Sequence, residues 1–201
     1  MKYLLIISLL IFAVYLPASQ LDDIYRNVIT EYSKINTFEA VLNQNNFWSE
    51  IDLAKSASGR IYYNSDSLFI TYLPPDEQEL FVLGNTVIVH DIKGSQAIYM
   101  DKADFFIRPV EIIKAYWTGS EKELISSIDD STQILLKKDQ EEILISLQNG
   151  LIFSVQITDK DNNSVSYQFS EEIINGELPK GIFIPDFPEN TNIIDNRSNG
   201  E

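Results

Sequence analysis

The fold is decided by residues 37–101, TFEAVLNQNNFWSEIDLAKSASGRIYYNSDSLFITYLPPDEQELFVLGNTVIVHDIKGSQAIYMD. This stretch predicts six short strands: Thr37–Gln44, Ser58–Tyr63, Leu68–Leu73, Gln78–Leu83, Thr86–Asp91 and Ser95–Met100. Turns rich in Asn, Ser, Asp, Pro and Gly separate most of them, at residues 64–67, 74–77, 84–85 and 93–95. Regularly spaced strands joined by such turns are typical of an antiparallel meander that curls into a sandwich or barrel.

Strands resume after residue 130. The pattern predicts Gln133–Lys137, Glu142–Leu147, Leu151–Thr158 and Ser164–Phe169. Asn149-Gly150 is the strongest hairpin signal, and Gly84-Asn85 suits a two-residue type II′ turn. Between the first two strands, residues 45–57 are predicted to form a polar link, with Trp48 packed on a sheet edge. Near the C-terminus, residues 178–185 predict a short strand bounded by prolines.

Two segments have helical periodicity. Leu21–Ile35 places apolar side chains three and four residues apart and predicts an amphipathic helix. Pro109–Trp117 predicts a short, very apolar helix, and residues 121–128 are expected to add one or two helical turns. The dense apolar block at residues 104–117 fits either a part of the core or a cover over a cavity. Strands Gln78–Leu83 and Thr86–Asp91 are apolar on both faces, which a helical layer over one face would explain.

Composition excludes several classes of function. The 201 residues carry 30 acidic and 15 basic side chains, for a net charge of −15. Such a charge opposes binding to nucleic acid or to anionic membrane surfaces, both of which attract Lys and Arg. There is no cysteine and a single histidine, His90. Disulfides, thiol catalysis, Cys-ligated zinc and a His-rich metal site are therefore excluded.

The N-terminus has the pattern of a secretory signal peptide. Lys2 precedes an almost continuous apolar run, Tyr3–Leu16, and small residues suitable for cleavage follow near Ala18. An uncleaved anchor is the alternative, but the run is shorter than the ~20 residues that a spanning helix needs. We therefore predict a cleaved signal peptide at residues 1–19, one domain at residues 20–195 and a frayed end at residues 196–201. Without a cysteine to carry lipid, the chain is expected to be released as a soluble exported protein that is not itself lipid-anchored.

No residue pattern points to catalysis. His90 and Asp91 are neighbours in a strand, so their side chains point to opposite faces. The adjacent carboxylates Glu141-Glu142 and Glu171-Glu172 fit solvated strand ends better than a glycosidase pair, which must face each other across a cleft. Asp159, Asp161 and Asn163 alternate as in a calcium loop, but the other ligands are missing. We expect no enzymatic activity, no metal and no cofactor.

The surplus of apolar and aromatic residues is the informative feature. An apolar pocket with few polar groups suits a lipid or acyl chain, at about 0.8 kcal/mol for each buried methylene. A plain sandwich core has the same composition. Composition alone leaves both interpretations open.

Short motifs occur in a fixed order along the chain: Phe38-x-Ala40-x-Leu42-x-Gln44, Gly59-x-Ile61, Leu68–Tyr72 with Pro74, Gln78-x-Leu80-Phe81-x-x-Gly84, Val87–Asp91, and Phe183-Ile184-Pro185-x-Phe187-Pro188 with Ile193-Ile194-Asp195. Each motif is weak alone. Together, and in this order, they resemble the periplasmic outer-membrane lipoprotein carrier family, LolA, over nearly the whole predicted mature length.

The resemblance implies an α+β fold, an unclosed and strongly curved antiparallel β half-barrel whose concave face is covered by helices. It implies a periplasmic chaperone that holds the acyl chains of lipoproteins in an apolar cavity and shuttles them from the inner to the outer membrane. The implied partners are lipoproteins, an inner-membrane ABC-type release complex and an outer-membrane acceptor, and we expect a monomer that does not bind nucleic acid.

The same resemblance implies which residues form the site. The cavity lining is expected to comprise Phe38, Ala40, Leu42, Ile61, Leu68, Ile70, Tyr72, Leu80 and Val82. The lid, meaning the segment that covers the cavity, is expected to comprise Phe106, Val110, Ile112, Ile113, Tyr116 and Trp117, together with the first helix.

The chain departs from the family at its gating residues. The family often has Arg-Pro before the third strand, and that Arg helps to hold the lid closed, whereas this chain has Asn64-Ser65-Asp66-Ser67. Leu83 and His90 also stand where the family has Asp and Tyr. Two rival functions stay open: a related exported half-barrel that binds free lipid or senses envelope lipoproteins, and, more distantly, an exported hydrolase.

Overall fold

The computed structural model describes residues 18–102 and 108–198. The predicted signal peptide lies mostly outside these residues. The elements are α1 (Ala18–Ser33), β1 (Thr37–Trp48), β2 (Leu53–Asn64), β3 (Ser67–Tyr72), β4 (Gln78–Leu83), β5 (Thr86–Asp91), β6 (Gln96–Asp101), α2 (Pro109–Trp117), β7 (Glu121–Ile128), β8 (Ser131–Lys138), β9 (Glu141–Gln148), β10 (Leu151–Thr158), β11 (Ser164–Ile174) and β12 (Asn192–Asp195). Neither described helix is both long enough and apolar enough to cross a membrane.

All described strands belong to one sheet, in the order β12-β6-β5-β4-β3-β2-β1-β11-β10-β9-β8-β7. Neighbouring strands are antiparallel except for β12, which pairs in parallel with β6. The sheet does not close, so β12 and β7 are its edges. The predicted α+β fold, one large unclosed antiparallel sheet with two helices, is confirmed.

Both predicted two-residue hairpins form. Leu83 pairs with Thr86 around Gly84, whose φ is +57°, and Leu151 pairs with Gln148 across the second turn. In that turn Asn149 and Gly150 have φ of 52° and 78°, the positive pair that a type I′ turn requires. The turns therefore fix the register of both hairpins.

The predicted polar link between the first two strands is wrong. β1 continues to Trp48, a short 3-10 helix occupies Ser49–Ile51, and β2 begins at Leu53. Cross-strand hydrogen bonds explain why so polar a segment stays extended, since the Ser56 and Ser58 hydroxyls donate to Asn45 and Asn43 at 2.6 and 2.7 Å. Trp48 therefore lies at the tip of a central hairpin, 40% exposed, and not on a sheet edge.

The expected helical turns at residues 121–128 are also wrong, because this segment is the edge strand β7. Asp129, with φ of 50°, makes a tight turn that brings β7 back onto β8. Lys122 and Leu124 then point inward while Glu121 and Glu123 stay exposed. Pairing with β8 satisfies backbone groups on one side of β7, apart from a register shift between Leu124 and Ser126, and this outweighs the weak helical preference of so short a sequence.

The two faces of the sheet are now distinguished by the register. Ile145 pairs with Val155, Val155 with Tyr167, Tyr167 with Gln44, and Gln44 with Ala57. Paired residues lie on the same face, so one continuous face runs through five strands. This is the concave face. Both helices pack on it, since the buried residues of α1 and α2 share one cluster with those of β8, β9 and β10.

The opposite, convex face of β2–β6 is covered by the C-terminal segment, contrary to the expected helical layer. Tyr62, Phe69, Phe81, Ile88 and Ala97 are buried there under Leu178, Ile182, Phe183 and Phe187. Residues 178–185 form turns instead of the predicted strand. The prolines at 179, 185 and 188 lack the amide hydrogen that a sheet ladder needs, so the segment contributes side-chain packing only.

The chain then adds β12 to the edge at β6. Beyond β12, the Asn196 amide donates to the Tyr99 carbonyl and the Ser198 amide to the Asp101 carboxylate, each at 2.8 Å. These contacts differ from the frayed end expected from residue 196 onward. Residues 199–201 lie outside the described part of the chain.

Candidate functional site

The concave face of β1–β5 and β11 carries a set of buried side chains that we call the apolar cluster: Phe38, Ala40, Leu42, Ile61, Tyr63, Leu68, Ile70, Tyr72, Leu80, Val82, Val87 and Phe169. All nine residues predicted to line the cavity belong to it. They alternate along their strands, and the family resemblance, not periodicity, indicated this face for the strands that are apolar on both sides. Each is at most 8% exposed, so the side chains pack against one another in this structure.

Strong curvature brings these strands together, and Gly59 permits it. A Cβ atom at Gly59 would lie 2.2 Å from the Thr71 carbonyl oxygen and 3.0 Å from the Tyr72 Cα. Both contacts are with backbone, so β2 and β3 can approach this closely only where a side chain is missing. The Gly59-x-Ile61 motif therefore acts by removing bulk at the bend, not by supplying a contact.

The predicted lid helix α2 covers the other half of the concave face. Ile112, Ile113 and Trp117 are buried in the cluster formed with α1, β8, β9 and β10, and Val110 and Tyr116 pack against it. Trp117 stacks on Tyr25 of α1, with 4.4 Å between ring centroids. Phe106 lies outside the described residues. The predicted lining and lid residues thus belong to two neighbouring clusters on the same face.

α1 is tied to the same half of the sheet. The Ile152 amide of β10 donates to the Tyr32 hydroxyl at 3.2 Å, beside the bulge that interrupts β10. Burial raises the pKa of Tyr32 well above its usual value, so this hydroxyl stays neutral. Ile35, just after the helix, packs against both clusters and bridges them.

Polar contacts hold α2 at both ends. Before its first turn, Arg108 donates to the Ser65 carbonyl at 3.0 Å and lies over the Tyr63 ring, 5.6 Å from its centroid. Near its other end, Lys138 donates to the Ala115 carbonyl at 3.1 Å, where a cation also complements the helix dipole. The turn at residues 64–67 lacks the Arg-Pro of the family, but Arg108-Pro109 reaches this same turn from the helix side.

An open pocket of about 490 Å³ lies beyond the apolar cluster, near the tip of the β1–β2 hairpin. Tyr72, Leu80, Ala57 and Tyr167 are shared with the cluster or pack against it, so pocket and cluster are continuous. The remaining lining residues are Gln44, Asn46, Trp48, Lys55, Asp76, Gln78 and Asp91. Sequence reasoning missed this pocket because it assigned residues 45–57 to a link. Continued alternation of Gln44, Asn46 and Trp48 along β1 was the available signal.

The polar groups of the pocket are arranged as a chain of neutral hydrogen bonds. The Tyr72 hydroxyl donates to Gln44 Oε1 at 2.7 Å, and Gln44 Nε2 donates to Asn46 Oδ1 at 3.1 Å. Burial raises the pKa of both Tyr72 and Tyr167, which keeps their hydroxyls protonated. Lys55 pairs with Asp76 at 2.6 Å, so its charge is already neutralised. The pocket offers amides and hydroxyls beside an apolar floor.

The single histidine lies on the other face. His90 is buried with its Nδ1 2.9 Å from Glu79 Oε2, and its ring centroid is 4.6 Å from that of Phe187. Asp91, by contrast, lines the concave pocket. Within the described residues no three His, Asp or Glu side chains are placed to hold a metal ion.

The family model for the outer membrane lipoprotein carrier protein LolA matches residues 33–186. The chain belongs to this family. No curated protein sequence matches the chain. The recognition made from the sequence motifs is therefore confirmed by the family match, and the family's members are carrier or binding proteins.

Several solved structures are similar in fold. An uncharacterised conserved protein from Thermus thermophilus is 10% identical, covers 88% of this chain and 99% of its own, and has a TM-score of 0.58. A chain of the Pseudomonas aeruginosa MucA/MucB complex is 10% identical, with coverages of 81% and 60% and a TM-score of 0.51. A LolA superfamily protein from Nitrosomonas europaea is 13% identical, with coverages of 82% and 97% and a TM-score of 0.45. At these identities the likeness concerns the fold alone.

Proposed function

We propose that this protein is a periplasmic carrier that binds the acyl chains of lipoproteins on its concave face and shuttles them from the inner to the outer membrane. In this proposal it acts as a monomer without catalysis. It takes cargo from an ABC-type release complex in the inner membrane and delivers it to an acceptor in the outer membrane. The family match over residues 33–186 is the main support.

One structural observation carries the proposal: the concave face gathers the buried residues of six strands into one apolar cluster that opens directly into a pocket. Each methylene moved from water into such a surface gains about 0.8 kcal/mol. Exposed acyl chains would therefore not cross an aqueous compartment unaided. Apolar contacts are also non-directional, so the cargo can pass to a second apolar surface without breaking strong bonds.

The side chains of the apolar cluster already fill the space between them, so an acyl chain can bind there only if they move apart. Ile70 is completely buried, as are Ala40, Leu42 and Ile61. Acyl chains must therefore enter at the pocket, where Leu80 and Ala57 form the floor, and separate side chains that now touch one another. In our proposal α2 moves during this step, because its Arg108 end rests on the β2–β3 turn beside the cluster.

The experiment incubates the purified protein, residues 20–201, with ATP-supplied spheroplasts of its own cell type. Lipoproteins in the soluble fraction are then analysed for a complex with it. Ala57→Trp is expected to reduce the amount released, since Ala57 lies on the pocket floor. Ser58→Trp is the matched control, because Ser58 is the next residue of β2 and faces away from the pocket. Both variants are first checked for folding by circular dichroism.

ATP-dependent release that Ala57→Trp impairs and Ser58→Trp leaves unchanged would support the carrier. Absence of release, with fatty acid or phospholipid found bound by native mass spectrometry, would replace the proposal with binding of free lipid. Cleaved lipid in place of intact lipid would replace it with an exported hydrolase.

A further inference from the structure

A polar band interrupts the concave face of the β1–β2 hairpin. Cross-strand pairs on this face run from Ala40–Ile61 and Leu42–Gly59 in the apolar cluster, through Gln44–Ala57 and Asn46–Lys55, to Trp48–Leu53 at the tip. The first two pairs are buried, whereas Trp48 and Leu53 are 40% and 48% exposed. We use the term polar band for Gln44, Asn46 and Gln78, the three amides of the pocket.

The chemistry of the band suits hydroxyl groups. An amide presents both donors and an acceptor, and a hydroxyl presents the same two functions, so the two are complementary. An aromatic side chain adds a flat apolar surface against which the carbon-bound hydrogens of a polyol or sugar can pack. Trp48 provides that surface beside Asn46. Pockets that fix orientation with few polar groups above an apolar floor are typical small-molecule sites.

The charges of the pocket disfavour an anion. Lys55 is the one basic residue among the lining residues, and it is paired with Asp76 at 2.6 Å. Asp91 adds a further negative charge, and its Oδ1 already accepts a hydrogen bond from the Gly94 amide at 2.9 Å. Sites for phosphate or carboxylate instead supply unpaired cations or arrays of donors. The charges therefore disfavour an anionic head group, and the three amides of the band suit a neutral one.

We propose that the polar band binds the uncharged, hydroxyl-bearing head group of an acylated ligand whose chain enters the apolar cluster. This inference rests on the proposed function, since it adds head-group recognition to acyl-chain binding at the same face. Two sources share this chemistry: the glycerol of a monoacylglycerol, which keeps two free hydroxyls, and the sugar of a glycolipid. In this proposal the head group of the ligand lies in the open pocket between Trp48 and Gln78, and its acyl chain extends past Leu80 into the apolar cluster.

The test compares probes with matched chains below their micelle-forming concentrations, using isothermal titration calorimetry. Laurate and 1-monolauroylglycerol carry the same acyl chain but differ both in the glyceryl group and in charge, so Asn46→Leu, which changes no charge, is used to separate the two contributions. Dodecyl maltoside supplies a sugar in place of the glyceryl group. We expect the two neutral probes to bind about ten-fold more tightly than laurate, as one or two added hydrogen bonds provide. Tighter binding of monolauroylglycerol indicates a monoacylglycerol, and tighter binding of the maltoside indicates a glycolipid.

Two matched pairs of variants locate the head group. Asn46→Leu should weaken the neutral probes about ten-fold and leave laurate unchanged, because it removes a band amide and keeps the size. Asn45→Leu is its control, since Asn45 lies on the opposite face and bonds to Ser56. Trp48→Ala should weaken the maltoside, while Phe47→Ala, which faces the other way, should not.

Equal affinity for laurate and monolauroylglycerol would overturn the inference, as would equal effects of Asn45→Leu and Asn46→Leu. Its failure is distinguishable from failure of the carrier. If the protein releases lipoproteins from spheroplasts but shows no head-group selectivity, the proposed carrier function is supported and the proposed role of the polar band is refuted. If the protein shows head-group selectivity but releases no lipoproteins, the proposed role of the polar band is supported and the proposed carrier function is refuted.

Discussion

Gly59→Ala should destabilise the fold although Gly59 has an ordinary backbone conformation. The added Cβ would lie 2.2 Å from the Thr71 carbonyl oxygen, more than 1 Å inside normal contact, and 3.0 Å from two further backbone atoms. Backbone cannot rotate away as a side chain can, so β2 and β3 must separate at the bend. Overpacking of this kind costs typically 1–3 kcal/mol. We expect about 2–3 kcal/mol here, which lowers Tm by about 4–12 °C for a domain of this length.

The assay is reversible urea unfolding followed by circular dichroism, with thermal unfolding alongside. Ser58→Ala is the matched control, because it places alanine one residue earlier in β2 and removes only the exposed hydrogen bond to Asn43, a loss of about 1 kcal/mol at most. The reasoning would be refuted if Gly59→Ala cost no more than Ser58→Ala. In that case the two strands could separate freely, and curvature would not depend on the missing side chain.

Three further predictions test other parts of the structure. Burial raises the pKa of the Glu172 carboxyl, so ionising it costs more in the folded than in the unfolded chain. The free energy of unfolding then falls as pH rises above the unfolded pKa of about 4.3. Urea midpoints should therefore show Glu172→Gln to be more stable than the parent protein near neutral pH. Below about pH 3 the two proteins should not differ in this way. Arg108→Ala should speed amide hydrogen exchange within α2, and Arg108→Lys should speed it less. Equal exchange rates in the parent protein and both variants would show that Arg108 does not hold the helix over Tyr63. Phe187→Ala should lower the free energy of unfolding by about 2 kcal/mol because it uncovers His90, and an unchanged urea midpoint would contradict the role of the C-terminal segment in covering the sheet.

Much of the fold could be predicted because its signals are local. The bounds of β4, β5, β10 and α2 agree with the sequence analysis to the residue. Alternation within a strand depends only on neighbouring residues, and a two-residue turn specifies its own hairpin. The nine predicted lining residues of the apolar cluster came from the family resemblance, because alternation alone does not show which face of a two-sided apolar strand points inward.

The errors occurred where a segment depends on a distant partner. Residues 121–128 contain Glu, Lys and Leu and have no strong strand signal, yet pairing with β8 makes them a strand. Residues 45–57 have no regular alternation of apolar and polar side chains, yet the parts on either side of the 3-10 turn stay extended because serine and asparagine side chains bond across the hairpin. The pocket was missed with them, since Asn46 and Lys55 meet only when that hairpin forms.

The sequence by itself determined ten of the twelve described strands, the two hairpin turns and membership of the carrier family. Only the tertiary structure decided which phase faces the hollow, what covers each face and where the pocket opens. Strands such as β4 are apolar on both sides, so their sequence is compatible with either orientation. The choice is made by residues far away in the chain: Phe183 and Phe187 cover one face, while side chains from six strands pack against one another on the other.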